Sequence, residues 1–172
     1  MLYYLAYGSN LHPLRLAERV PSSRLLGTTR LDGYTVSFVK RSMDGSAKCA
    51  LRCTAIPDDA AHCAVYELEE SERHLLDEVE GLGRGYDEAI LRAQVGGGSV
   101  TAFTYVAAAS HLAPELLPYD WYRALVIEGA QFHGFPEPYV SRLGATTCLP
   151  DPDRRRSLRN RELLARIREH RR

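Results

Sequence analysis

The chain has 172 residues, 45% hydrophobic and 26% charged, which is enough for one compact domain with a core and argues against two. Its 22 basic and 22 acidic residues cancel, so bulk charge argues against a general nucleic-acid binder. No apolar run approaches the roughly 18 residues of a membrane span, and Met1-Leu2-Tyr3-Tyr4 lacks the basic region and cleavage site of a signal peptide, so a cytoplasmic location is expected.

The chain opens with an apolar, aromatic strand, Leu2-Tyr3-Tyr4-Leu5-Ala6-Tyr7, which runs straight into Gly8-Ser9-Asn10. Such a strand end is fitted to hold a ligand. Gly8 permits a positive φ and a close backbone approach, while Ser9 and Asn10 bring short hydrogen-bonding side chains and further amide donors. Ser9 with His12 and Asp32 or Asp44 also offers the residue types of a nucleophilic triad. No Gly-x-Ser-x-Gly elbow surrounds it, and a turn-forming or substrate-binding serine fits better.

A short helix over 13–19 is followed by alternating segments at 23–29, 34–40, 47–56 and 62–68, which read as strands. Cys49 and Cys53 fall on one face of the third of these. With Cys63 and Cys148 they make no Cys-x-x-Cys pair, so free, buried thiols fit better than zinc or a disulfide framework.

Helical spacing over 71–79 places Leu75, Leu76 and Val79 on one side, with Ser71 as N-cap and Gly81 as the stop. Glu80 falls in the last turn. A helix C-terminus carries partial negative charge, and Asp77 and Glu78 are near in sequence, so a carboxylate here is pushed towards holding its proton. That direction suits a proton shuttle, whereas the plainer reading is one more solvated acid on an acidic helix.

Strands over 86–95 and 100–107 are joined by Gly96-Gly97-Gly98-Ser99. Without a Lys-Ser/Thr ending or a following helix, this run reads as a hairpin rather than a phosphate loop. Helices follow over 120–133 and 137–143, with Gly134-Phe135-Pro136 between them. Strands in one block with helices between and after them predict the α+β class: a single domain with a mixed sheet or partly closed barrel and peripheral helices.

Of the 22 basic residues, nine are arginines in 154–172, leaving thirteen in 1–153. Of the 22 acids, only Glu162 and Glu169 lie there, leaving twenty. The reading is a domain over 1–153 and an Arg-rich helix or tail over 154–172 that meets the acidic body or a second subunit, as in a homodimer. Nucleic-acid binding is disfavoured, since nothing aromatic interleaves the arginines.

Three landmarks together resemble the AIG2-like γ-glutamylcyclotransferase family over most of the chain. They are Tyr4-Leu5-Ala6-Tyr7-Gly8-Ser9-Asn10-Leu11, then Leu76-Asp77-Glu78-Val79-Glu80-Gly81, then Tyr122 with Gly129-Ala130, Gly134-Phe135-Pro136, Tyr139 and Leu143. The resemblance implies Glu80 as catalytic acid/base and Tyr4, Leu5, Ala6, Tyr7, Gly8, Ser9 and Asn10 as the substrate loop. Tyr105 and Tyr122 would close the pocket, and Tyr86 receives no role. It implies a small-molecule γ-glutamyl substrate cyclised to 5-oxoproline with release of an amine, without metal or cofactor. The Gly-Ser-Asn loop tilts the substrate towards γ-glutamyl amino acids and dipeptides. The alternatives are a γ-glutamyl amine, glutathione, an acyl-tagged biosynthetic intermediate, or a non-catalytic binding protein of the same fold.

Overall fold

In a computed structural model that describes residues 1–169, strand β1 (Leu2–Ala6) is followed by a short helix, α1 (Pro13–Ala17). Four strands come next: β2 (Arg24–Asp32), β3 (Tyr34–Arg41), β4 (Ala47–Cys53) and β5 (Ala60–Leu68). Helix α2 (Arg73–Glu80) leads to the hairpin of β6 (Tyr86–Val95) and β7 (Gly98–Ala107), and then to α3 (Asp120–Phe132), α4 (Glu137–Gly144) and α5 (Arg154–Glu169). Arg171 and Arg172 of the predicted tail lie outside the described residues. No described helix is long and apolar enough to cross a membrane.

An apolar strand needs cover on both faces, and β1 lies at the centre of a five-stranded sheet of order β2-β5-β1-β7-β6. It runs antiparallel to β5, from Leu2↔Leu68 to Ala6↔Ala64, and parallel to β7 through Tyr4↔Phe103. The sheet is mixed and curls without closing. Its edges still approach each other: the Gln94 amide donates to Thr29 Oγ1 at 3.2 Å, and a Cβ at Gly27 would lie 2.9 Å from Val95 Cγ2. Strands β3 and β4 form a separate two-stranded ribbon.

Several predicted boundaries shift for local reasons. The hairpin turn needs only Gly96 and Gly97, both left-handed at φ 59° and 78°, and pairing resumes at Val95↔Gly98. Strand β4 stops at Cys53, where Thr54 donates to the Gly33 carbonyl and Ala55 turns the chain at φ 57°. Cys49 is buried while Cys53 is exposed, so a shared strand face did not mean shared burial. Ser71 is not an N-cap: a 3-10 turn over Glu70–Glu72 precedes α2, and the serine hydroxyl turns to Glu69 instead.

The Arg-rich segment is a packed helix. Leu163, Leu164 and Ile167 of α5 are buried, and Arg161, Arg166 and Arg168 pair with Asp120, Glu18 and Glu128. The first two pairs are exposed and worth at most about 1 kcal/mol each, so the apolar stripe does more to hold the helix. Its anchor is Asp151. That carboxylate, fully enclosed, accepts the Trp121 indole N–H at 2.8 Å and a two-pronged bond from Arg156 at 2.6 and 2.7 Å. The Arg156 bonds hold its pKa down to about 2.

A carboxylate whose pKa falls on folding stabilises the fold above its unfolded value and loses that contribution as pH drops through the folded one. Asp151→Asn is therefore expected to cost roughly 2 kcal/mol at pH 7. Denaturant titrations should show the gap between variant and parent narrowing as pH falls from about 4 towards 2.

Candidate active site

The chain leaves β1 at Tyr7 and turns sharply, the Leu11 amide donating to the Gly8 carbonyl at 3.1 Å. Tyr7, buried, donates its hydroxyl to the Tyr105 carbonyl at 2.5 Å, tying the loop to β7. Gly8 is not left-handed, contrary to one of the two reasons for a glycine there. The other reason holds: a Cβ at Gly8 would lie 3.1 Å from Cys49 Cβ and 3.4 Å from the Tyr122 hydroxyl. The position needs glycine for closeness, not for φ.

Asn10, 3% exposed, is the hub. Its Nδ2 donates to the Tyr4 hydroxyl at 3.0 Å and to Glu80 Oε1 at 2.9 Å, while its Oδ1 accepts from Arg19 Nη1 at 2.7 Å. The same Arg19 nitrogen lies 2.9 Å from Glu80 Oε1. Glu80 arrives as the final residue of α2, because Gly81 at φ 70° and ψ 49° ends the helix. The Gly81 and Leu82 amides both fold back on the Asp77 carbonyl at 3.0 Å.

The sequence placed Glu80 among acids, and the structure sets it against a cation. Asp77 is engaged elsewhere, by Arg73 at 3.0 Å and by the Tyr105 hydroxyl at 2.5 Å. Arg19 instead offsets the negative end of the helix at Glu80. No local pattern announced it: it follows the short α1 and reaches back nine positions to Asn10.

Around this carboxylate is a small recess lined by Tyr4, Tyr7, Gly8, Ser9, Asn10, Cys49, Glu80, Tyr86, Tyr105 and Tyr122. Of the ten residues singled out in the sequence, eight come together here. Leu5 and Ala6 do not: both are wholly buried in the core, and the Leu5 carbonyl accepts the Thr104 hydroxyl. Cys49 and Tyr86 join the lining, the Tyr86 hydroxyl donating to the Cys49 carbonyl at 2.6 Å. Tyr122 accepts the Cys49 amide at 3.0 Å.

Burial pushes the Tyr7, Tyr86 and Tyr122 hydroxyls far above their ordinary range, and Glu80 adds to the effect. They stay neutral hydroxyls at any physiological pH. The Cys49 thiol is likewise pushed up to about 12, chiefly by burial, which leaves it a poor nucleophile. No triad forms either. His12 caps α1, its Nδ1 accepting the Leu14 amide at 3.2 Å, while Asp44 is bound to Lys48 and Ser46 and Asp32 lies against Arg30. The recess therefore holds one carboxylate, fixed by an amide and a guanidinium, inside a wall of neutral hydroxyls.

Residues 61–143, which include Glu80 and Tyr122, match the model of the AIG2-like family. That segment is AIG2-like. The chain is 26% identical over 151 residues to the Gamma-glutamylcyclotransferase of Homo sapiens, covering 83% of this chain and 77% of that one. The Mus musculus Gamma-glutamylcyclotransferase is 28% identical over 148 residues, with the same coverage. Among solved structures, a Gamma-glutamyl cyclotransferase superposes with a TM-score of 0.81 at 23% identity, over 96% of this chain and 98% of its own. An uncharacterized Homo sapiens protein superposes at 0.74 and 24% identity, over 86% of this chain and 89% of its own. This chain therefore has the fold of the first of these two structures over nearly its whole length.

Proposed function

We propose that this chain is a γ-glutamylcyclotransferase that acts on γ-glutamyl amino acids or dipeptides, with Glu80 as the acid/base. The observation that carries the reading is the meeting of Glu80 with Asn10 at 2.9 Å, across 70 positions of sequence, in one recess. A solvated acid at the end of an acidic helix has no need of an amide and a guanidinium to orient it.

The reaction is an internal aminolysis. The α-amino nitrogen of the γ-glutamyl group attacks its own γ-carbonyl carbon, a C–N bond closes the five-membered ring, and the bond to the leaving nitrogen breaks. The ammonium must first lose a proton, which Glu80 takes, and the departing nitrogen must gain one, which Glu80 returns. No water is consumed and no redox change occurs. Nucleophile and electrophile share one molecule, so the protein chiefly holds a folded, near-attack geometry, an arrangement worth on the order of 7–11 kcal/mol.

The neutral hydroxyls suit the second need, since the carbonyl oxygen gains negative charge as the ring closes and fixed donors stabilise it without reorganising. Tyr4 and Ser9 are the hydroxyls from the β1 end, and Tyr122 the one from α3. The test is a panel of γ-glutamyl dipeptides, γ-glutamyl amines and glutathione, read as 5-oxoproline release by mass spectrometry. The expected result is turnover of γ-glutamyl amino acids above the other classes, and no 5-oxoproline from any member of the panel would overturn the reading.

A further inference from the structure

Beside the recess that holds Glu80 lies a second, larger hollow, and Ser9, Glu80, Tyr86 and Tyr122 line both. The inner recess has one charged side chain in its lining, Glu80, whereas the outer hollow adds Arg19, Lys40 and Lys48. These three cations differ in what they already hold. Arg19 is spent on Glu80 and Asn10. Lys48 donates to Asp44 Oδ2 and Ser46 Oγ at 2.7 Å each, and rests over the Tyr122 ring.

Lys40 is 5% exposed, and among the described residues its ammonium makes no hydrogen bond or ion pair. Its contact is the face of Tyr86, with Nζ 4.4 Å from the ring centroid. The surroundings are shaped to it. The β3 register slips between Phe38 and Lys40, a bulge of the kind that re-aims a side chain, and a Cβ at Gly85 would lie 3.1 Å from Lys40 Cε. Burial lowers the Lys40 pKa, with Glu80 and Asp44 pulling the other way. An ammonium at the wall of the hollow with only a ring for company is left free to take an anion that enters there.

We propose that Lys40 binds a carboxylate on the leaving group, so that the site selects γ-glutamyl compounds whose released amine is an amino acid. This rests on the cyclotransferase reading. The ring-forming half belongs in the inner recess with its base, and the leaving amine, on the far side of the breaking bond, then faces the hollow that contains Lys40. A γ-glutamyl amine without a carboxylate leaves the ammonium unpaired.

The experiment uses the full chain carrying Glu80→Gln, so that ligands are bound and not turned over. Calorimetry compares γ-glutamyl-alanine with γ-glutamyl-ethylamide, which differs by the carboxylate. The dipeptide is expected to bind about 10- to 100-fold more tightly, the range of a charge-assisted hydrogen bond. Adding Lys40→Met should bring the two ligands to within about threefold, and Lys40→Arg should retain the preference.

Equal affinities in the Glu80→Gln protein would overturn the assignment whether or not the lysine variants fold. So would Lys40→Met weakening both ligands alike, since the lysine would then serve the glutamyl half or only the packing. If the preference appears but the parent chain makes no 5-oxoproline, the cyclotransferase reading fails and the carboxylate site stands.

Discussion

Glu80→Gln is expected to leave a folded protein whose release of 5-oxoproline from γ-glutamyl-alanine is slower by about 10²- to 10⁴-fold. Glutamine has the same shape and keeps an oxygen to accept from Asn10 and Arg19, so the recess should survive the change. What it loses is the capacity to carry a proton between the attacking and leaving nitrogens. The loss should therefore fall on kcat with KM little moved, because the proposed mechanism assigns binding and positioning to the loop and the tyrosines. Glu80→Asp makes the complementary case, an intact acid set back by one methylene, and should recover only part of the rate. Turnover by Glu80→Gln at the parent rate would remove Glu80 from the reaction and return it to the role of a loop anchor.

How legible this site was depends on which residues signal by pattern and which by place. The strand running into Gly8-Ser9-Asn10 and the helix stopped by Gly81 are local grammar, and the resemblance joined them into one site. Arg19 had no such signal. Its position depends on α1 ending at Ala17 and on the chain turning back beneath Asn10, which is tertiary information. Lys40 misleads for a different reason: at the end of an alternating strand it passes for a solvated lysine, yet it continues the buried face of Val36 and Phe38.

Other signals were present and outvoted. Leu5 alternates with Tyr4 and so falls on the opposite face of β1, which strand geometry alone requires. In the tail, arginine content left helix and tail both open, while Asn160, Leu163, Leu164 and Ile167 recur at helical spacing and are the residues buried. Periodicity was the better guide there, because a handful of apolar residues on one side suffices to seat a helix whatever covers the other.

Gly129→Ala should be the most damaging small change in the helices. A glycine inside a helix costs about 1 kcal/mol against alanine, so its presence in the middle of the buried face of α3 calls for a reason. The reason is the loop after β1: a Cβ at Gly129 would lie 2.5 Å from Leu11 Cβ and 3.0 Å from the His12 backbone nitrogen, contacts that cannot stand. The loop cannot easily retreat. Leu11 is wholly buried, and its carbonyl is pinned by the Tyr66 hydroxyl at 2.6 Å and by His133 Nε2 at 2.7 Å, a nitrogen that must be the donor facing a carbonyl. The gain in helix propensity is therefore expected to be swamped by about 1–3 kcal/mol of overpacking, read as a lower denaturation midpoint. Because the strain falls next to Asn10, activity should fall beyond what unfolding explains, through a raised KM. Gly144→Ala is the control, since its new Cβ would meet only Ile127 Cδ1 at 3.8 Å, and its stability should match or slightly exceed the parent's. A Gly129→Ala protein as stable and as active as the parent would mean that α3 does not set the height of the loop, and Asn10 would need another explanation for its place beside Glu80.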